Sequence, residues 1–160
     1  MQTSQKDEIG GALLRASRAL VGIAARSLAD IDEVTLPQFR ALVVVSSPET
    51  TTVSTLAHAL DIHPTTATRL CDRLVDKELL RRDPDPEDRR TVELHLSAAG
   101  RQLVKRVTAR RQRDLAAIAA RMPAPAARAA IVALGAFADA AGESPEATDL
   151  FGWAAPTADP

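Results

Sequence analysis

The sequence predicts a mainly helical fold carrying one small β-hairpin, and three features of the 160-residue chain predict it. Apolar residues recur at helical spacing over two long stretches, Asp7 to Leu28 and Ser97 to Met122. Between them, two shorter helical stretches meet at a tight turn closed by Pro64. Alternation of apolar and polar residues from Thr91 to Leu96 then marks a strand, preceded by a proline-rich acidic tip.

Each element follows from its own residues. The first helix runs from Asp7 to about Leu28, with Ile9, Leu13, Leu14, Leu20, Val21, Ile23, Ala24 and Leu28 on its apolar side. Thr35 is the expected N-cap of a second, mostly buried helix, with Pro37 in its first turn and Phe39, Leu42, Val43 and Val45 following. Ser46, Ser47 and Pro48 end it. The β-branched run from Thr50 to Val53 is expected to pair briefly as a strand, and Ser54 to cap a short helix that carries Leu56, Ala57 and Leu60. Pro64 sits just inside the next helix start, where its missing N–H costs nothing and its φ is already helical, leaving His63 in the cap position. That helix runs to about Glu78, with Ala67, Leu70, Cys71 and Leu74 as an inward stripe and Thr65, Thr68, Arg69 and Asp72 as a separate polar one.

Leu79 to Asp83 and Thr91 to Leu96 read as strands, the second with Val92, Leu94 and Leu96 on one side and Thr91, Glu93 and His95 on the other. The segment between them, from Pro84 to Arg90, has two prolines and three acids and reads as a solvated hairpin tip. Ser97 caps a helix of about 25 residues bearing Leu103, Val107, Leu115, Ile118 and Met122. Pro123 and Pro125 mark a turn, and Ala126 to Ala141 supplies a last helix with Ile131, Val132, Leu134 and Phe137 on its apolar side. From Gly142 the composition becomes that of a tail, which Leu150, Phe151 and Trp153 are expected to anchor on the helices.

Bulk properties narrow the function. One cysteine, Cys71, forms no intrachain disulfide, and no stretch approaches the roughly 18 apolar residues of a membrane span, so a cytoplasmic protein without membrane contact is expected. Net charge is only -1, yet residues 101–121 carry +6 while 122–160 carry -4. A nucleic-acid binder of this composition must rely on a few placed arginines instead of a broad basic surface. No nucleophile and base pair, phosphate-cradling glycine loop or metal cluster is visible, so neither an enzyme nor a cofactor is expected.

The order of elements is that of a winged helix-turn-helix flanked by terminal helices. A B-DNA major groove admits one α-helix, and short side chains near that helix's N-terminus reach base edges while its positive dipole end lies near phosphate. The helix opened by His63 and Pro64 has that design. The hairpin is the wing, and arginines at its tip, Arg89 and Arg90, are placed to enter the narrow minor groove.

Four stretches in this order resemble the multiple antibiotic resistance regulator (MarR) family. They are Thr35-Leu36-Pro37-Gln38-Phe39; Leu56-Ala57 through Leu60 and Ile62; Thr65-Thr66-Ala67-Thr68-Arg69-Leu70 followed by Asp72-Arg73-Leu74; and the wing Asp88-Arg89-Arg90 leading to Leu96-Ser97 and Gly100. In that family an Asp-x-Arg in the wing precedes a strand and a Leu-Thr-x-x-Gly helix start; Ser97 stands in for the threonine here. The resemblance implies that Thr65, Thr66, Thr68 and Arg69 face the groove, that Arg73 touches phosphate, and that Arg90 reaches the minor groove while Asp88 braces the wing. It also implies a homodimer built by residues 1–34 and 98–141 around DNA-binding lobes of residues 35–97, with 142–160 as a tail. The partner is then double-stranded DNA with an inverted repeat. Repression is the family's more frequent habit, often relieved by small aromatic or lipophilic effectors bound where the dimer helices meet the lobe; the effector's residues are not identifiable from the sequence.

Simpler readings stand beside these. The threonines and arginines are also what a solvated helix face carries, and the lobe of a winged-helix dimer can serve as a protein-interaction or ligand-binding module without specific DNA binding. Asp72 is expected to pair with Arg69 or Arg73 within its helix instead of reading a cytosine. Asp83, Asp85 and Glu87 fail as a calcium loop because Asp88 stands where glycine is needed and Leu94 where glutamate is. His58, His63 and His95 match no metal-ligand spacing. Cys71 falls on the inward stripe, which favours packing over redox sensing.

Overall fold

Local capping decides where the helices begin. A computed structural model describes residues 2–29, 31, 34–47, 51–84 and 91–142. In chain order the elements are α1 (Gln2–Leu28), α2 (Leu36–Val45), β1 (Thr51–Thr52), α3 (Val53–Ala59), α4 (Pro64–Asp76), β2 (Leu80–Pro84), β3 (Val92–Leu96), α5 (Ala98–Ala119) and α6 (Ala124–Ala140). At the start of α2, the Gln38 amide donates to Thr35 Oγ1 and the Gln38 side chain accepts from the Thr35 amide, a reciprocal pair that satisfies two otherwise orphaned donors. The same device opens α3, but Thr52 supplies it with Thr55, so the helix starts earlier than Ser54 suggested. Ser54 lies inside α3 and is exposed. Ser97 accepts from the Gly100 amide at 2.9 Å and opens α5 as expected.

Helix ends shift modestly from expectation. The first helix starts at Gln2, ahead of Asp7. The helix opened by Pro64 stops at Asp76 because Glu78 enters the left-handed region at φ 57, and the strand that follows starts at Leu80. Helix α5 spans 22 residues, and the last helix starts at Ala124, two residues ahead of expectation.

The three strands form one antiparallel sheet in the order β1-β3-β2. Thr51 pairs with Leu94, so the short β-branched run does join the sheet; Leu80 pairs with Leu96, and Pro84 with Val92. On the outer face of the hairpin, Arg81 contacts Asp83 at 3.3 Å, and His95 lies 3.1 Å from Glu93 and 3.9 Å from Asp83. The inner face carries Leu80, Leu94 and Leu96 into a core shared with Phe39, Leu42 and Val45 of α2, Leu56 of α3, Cys71 and Leu74 of α4, and Leu103, Val104 and Val107 of α5. Val92 departs from expectation: it is 43% exposed because it pairs at the wing end of the hairpin, beyond the buried Leu94.

Two contacts tie the start of α5 to the turn between α4 and β2. Ser97 Oγ donates to the Glu78 carbonyl at 2.6 Å, and the Ser97 amide donates to the Leu79 carbonyl at 3.1 Å. Gly100 then passes so close to Leu79 that a Cβ built there would overlap its carbonyl oxygen. By contrast, α6 buries none of its residues, although Ile131 and Val132 are apolar and 75% exposed. Among the described residues, no helix is long and apolar enough to cross a membrane. Phe151, Trp153 and the rest of the predicted tail from Glu143 onward lie outside the described residues, as does the wing tip from Asp85 to Arg90.

Candidate nucleic-acid interface

Helices α3 and α4 pack against each other across the short turn Leu60–His63. Asp61 closes that turn at φ 51, a conformation aspartate tolerates better than most side chains, and the Ile62 amide donates to the Ala57 carbonyl. His63 caps α4 by accepting the Thr65 amide at Nδ1, 3.2 Å away. In the neutral ring this assigns the proton to Nε2, leaving one N–H donor beside the helix's positive end.

The helix separates its faces as its sequence requires. Ala67, Cys71 and Leu74 are fully buried, and Leu70 packs against the same core. His63, Pro64, Thr65, Thr66, Thr68, Arg69 and Arg73 are all exposed. Thr65, Thr68 and Arg69 share the face opposite the core, while Thr66 and Arg73 lie about 90° round from it. The Thr68 hydroxyl donates to the Pro64 carbonyl at 3.0 Å, so its proton is engaged and its oxygen remains an acceptor on an exposed side chain that also carries a methyl. That presents an acceptor suited to a base amino group and an apolar contact suited to a thymine methyl. Arg69 adds a fork of donors that matches the paired acceptors of guanine.

Asp72 does not pair within its helix. Its Oδ1 lies 2.7 Å from Nη2 of Arg82 on β2, and both side chains are partly exposed. The strand brings a guanidinium to α4 from the side. Sequence reasoning missed Arg82; the available signal was its place on the same strand face as buried Leu80. Burial pushes the thiol of Cys71 above its ordinary pKa of 9.0; the neighbouring Arg82 charge pulls the other way, the Asp72 charge raises it further, and a hydrogen bond from Arg82 lowers it. This buried, protonated thiol packs in the core, as its position on the inward stripe suggested. A second link joins α4's end to α2, where Lys77 Nζ donates to Gln38 Oε1 at 3.3 Å.

The wing residues Asp88, Arg89 and Arg90 lie outside the described residues; β2 and β3 are the rails that lead to them. Among the described residues, no group of three His, Cys, Asp or Glu side chains is placed to hold a metal ion. Away from α4, one charge is anomalous. Arg111 continues the inward stripe of α5 after Gly100, Leu103, Val104 and Val107, and its guanidinium stands 5.3 Å from the ring centre of Phe39. Its Nε and Nη2 are buried without a hydrogen-bond partner among the described residues, and desolvation pulls its pKa down.

Comparison with known proteins decides the family. The model of the MarR family matches residues 34–92, from just before α2 to the start of β3. An uncharacterised HTH-type transcriptional regulator of Bacillus subtilis strain 168, YsmB, is 31% identical over 102 residues that span 64% of this chain and 70% of that protein. The chain belongs to the MarR family. A second regulator from that bacterium, YhbI, is also 31% identical, and there the match spans 46% of this chain and about half, 48%, of the relative's length. Among solved structures, RV1404 from Mycobacterium tuberculosis superposes with a TM-score of 0.79 at 42% identity, covering 86% of this chain and 95% of that one. A single-substitution mutant of MepR from S. aureus, bound to an oligodeoxyribonucleotide, shares the fold with a TM-score of 0.60 at 19% identity, over 83% and 97% of the two chains. The family match takes in α2 to the start of β3, which is the part of this chain that carries the exposed face of α4.

Proposed function

We propose that this MarR-family transcription regulator binds double-stranded DNA as a homodimer on an inverted repeat, with α4 of each subunit in a major groove. The observation that carries the reading is the exposed face of α4, where Thr65, Thr68 and Arg69 stand opposite the buried Ala67, Cys71 and Leu74. Arg73 contacts phosphate on the flank, and Arg90, with Arg89, enters the adjacent minor groove while Asp88 braces the tip. The positive dipole end of α4, capped by the exposed His63, favours a nearby phosphate.

Exposed apolar surface supports the dimer. Ile131, Val132, Leu134 and Phe137 of α6, with Ile9, Leu14, Leu20 and Val21 of α1, are each at least 46% exposed. Burial of such a side chain is worth about 1.5–3 kcal/mol, and a helix of this length without packing is marginal in water. A second copy that covers α1, α5 and α6 supplies the packing. Two-fold symmetry then sets the half-sites about one helical turn, roughly 10 bp, apart. We assign the protein a cytoplasmic repressor role, relieved by a small aromatic or lipophilic effector at the junction of the dimer helices and the lobe.

The test is a binding titration on a duplex that the wild-type protein selects from a randomised pool. Arg69→Ala and Arg90→Ala are each expected to weaken binding by about 1–3 kcal/mol while the dimer stays folded, and Arg73→Ala to lower the salt dependence. Unchanged affinity in both of the first two variants sinks the reading.

A further inference from the structure

Side chains on β2 alternate, so Leu80, Arg82 and Pro84 share the face turned toward α4, while Arg81 and Asp83 share the outer one. Leu80 is buried in the core. Two residues on, the strand has passed the core's edge, and a guanidinium stands where an apolar side chain would otherwise continue. Arg82 reaches Asp72, the residue after buried Cys71, at 2.7 Å, so one side chain on the wing strand clasps α4. Asp72 belongs to the same helix face as Thr65, Thr68 and Arg69. Past the clasp, β2 runs on for two residues, about 7 Å, before the chain enters the tip that carries Arg89 and Arg90.

We infer that Arg82 is a positioning residue for DNA binding: through Asp72 it sets the wing strand against α4, so that the groove-facing helix and the wing meet one duplex in a single relative orientation. The inference rests on the DNA-binding reading above. An ion pair this exposed contributes little to folding stability, so its loss leaves the lobe folded and shows itself in DNA binding. Charge alone predicts the opposite sign for one partner. Removing the Asp72 carboxylate from a surface that approaches phosphate would tighten binding, whereas releasing the wing strand weakens it.

The experiment is a double-mutant cycle on the duplex selected by the wild-type protein. Affinity, melting temperature and dimer mass are measured for wild type, Arg82→Gln, Asp72→Ala and the double variant. Each single change is expected to weaken binding about tenfold, the double variant no further, and all four to melt within a few degrees of one another. Hydroxyl-radical protection of the minor groove at the flanks of the site is expected to fade in Arg82→Gln, while protection of the central major groove persists. Additive losses, tighter binding by Asp72→Ala, or an affinity loss that merely tracks a lower melting temperature overturns the inference. A wild-type protein that enriches no sequence overturns the DNA-binding reading and this inference together, whereas those other outcomes sink the clasp alone.

Discussion

Gly100→Ala sets helix propensity against packing, and the structure decides the sign. Gly100 is the third residue of α5, where alanine is favoured over glycine by up to about 1 kcal/mol. Yet a Cβ built there overlaps the Leu79 carbonyl oxygen and comes within 3.1 Å of its carbonyl carbon. That neighbour is backbone, held by the Ser97 amide and followed immediately by β2, so it has no rotamer to change. Relief requires α5 to retreat by roughly 1 Å, which carries the Ser97 hydroxyl and amide beyond hydrogen-bond range of Glu78 and Leu79. Overpacking costs about 1–3 kcal/mol and each lost hydrogen bond about 1 kcal/mol, so the net destabilisation is about 2–4 kcal/mol after the propensity gain. For a chain of this size that is a fall of about 4–16 °C in melting temperature. Circular dichroism melts at matched protein concentration read it, with Gly10→Ala as the control. Gly10 also lies within a helix, but a Cβ there meets nothing within 4 Å, so that variant is expected to gain about 0.5–1 kcal/mol. If Gly100→Ala melts at or above wild type, the close approach of α5 to Leu79 is wrong.

Other outcomes follow from the same contacts. Arg111→Met keeps a side chain against Phe39 and removes a desolvated guanidinium whose Nε and Nη2 have no hydrogen-bond partner among the described residues, so it is expected to raise the melting temperature by about 2–4 °C, near 1 kcal/mol; a fall instead means that a carboxylate of the second subunit completes the pair. Ile131→Asp combined with Phe137→Asp is expected to halve the mass seen by sedimentation at micromolar protein, and an unchanged mass places the dimer surface elsewhere. Cys71 keeps its proton longer in the folded state than in the unfolded one, so its contribution to stability is full below pH 9.0 and declines as pH rises from that value toward the raised folded pKa. Urea midpoints that fall across this range in wild type but less steeply in Cys71→Ala, together with slow native-state reaction with a thiol reagent at about pH 8, are the expected results; rapid labelling of the folded protein contradicts the burial.

Much of α4 is visible in the residues alone because the forces that shape it are local. His63 caps α4 through a contact two residues long, Pro64 sits at its start, and Thr35 caps α2 over three residues. The stripe of Ala67, Cys71 and Leu74 follows from a 3.6-residue period, which also assigns Thr65, Thr68 and Arg69 to the other side. Where two local solutions compete, the pattern misleads. Thr52 and Ser54 are both capping residues, and the reciprocal partner Thr55 decides between them. Asp72 has arginines at three residues before it and one after it, but neither holds it.

What the chain alone determined is its set of helices, their apolar faces, the hairpin and the family to which their order belongs. Tertiary structure decided the choices that depend on which surfaces meet. Asp72 took Arg82 because β2 packs beside α4. Gly100 became irreplaceable because α5 starts against the Leu79 backbone, and Arg111 came to rest over Phe39 because α5 crosses α2. The physical reason is reach: caps and stripes close over a few residues whose spacing is written in the chain, whereas a charged pair or a backbone contact between distant segments exists only after hydrophobic burial has brought those segments together.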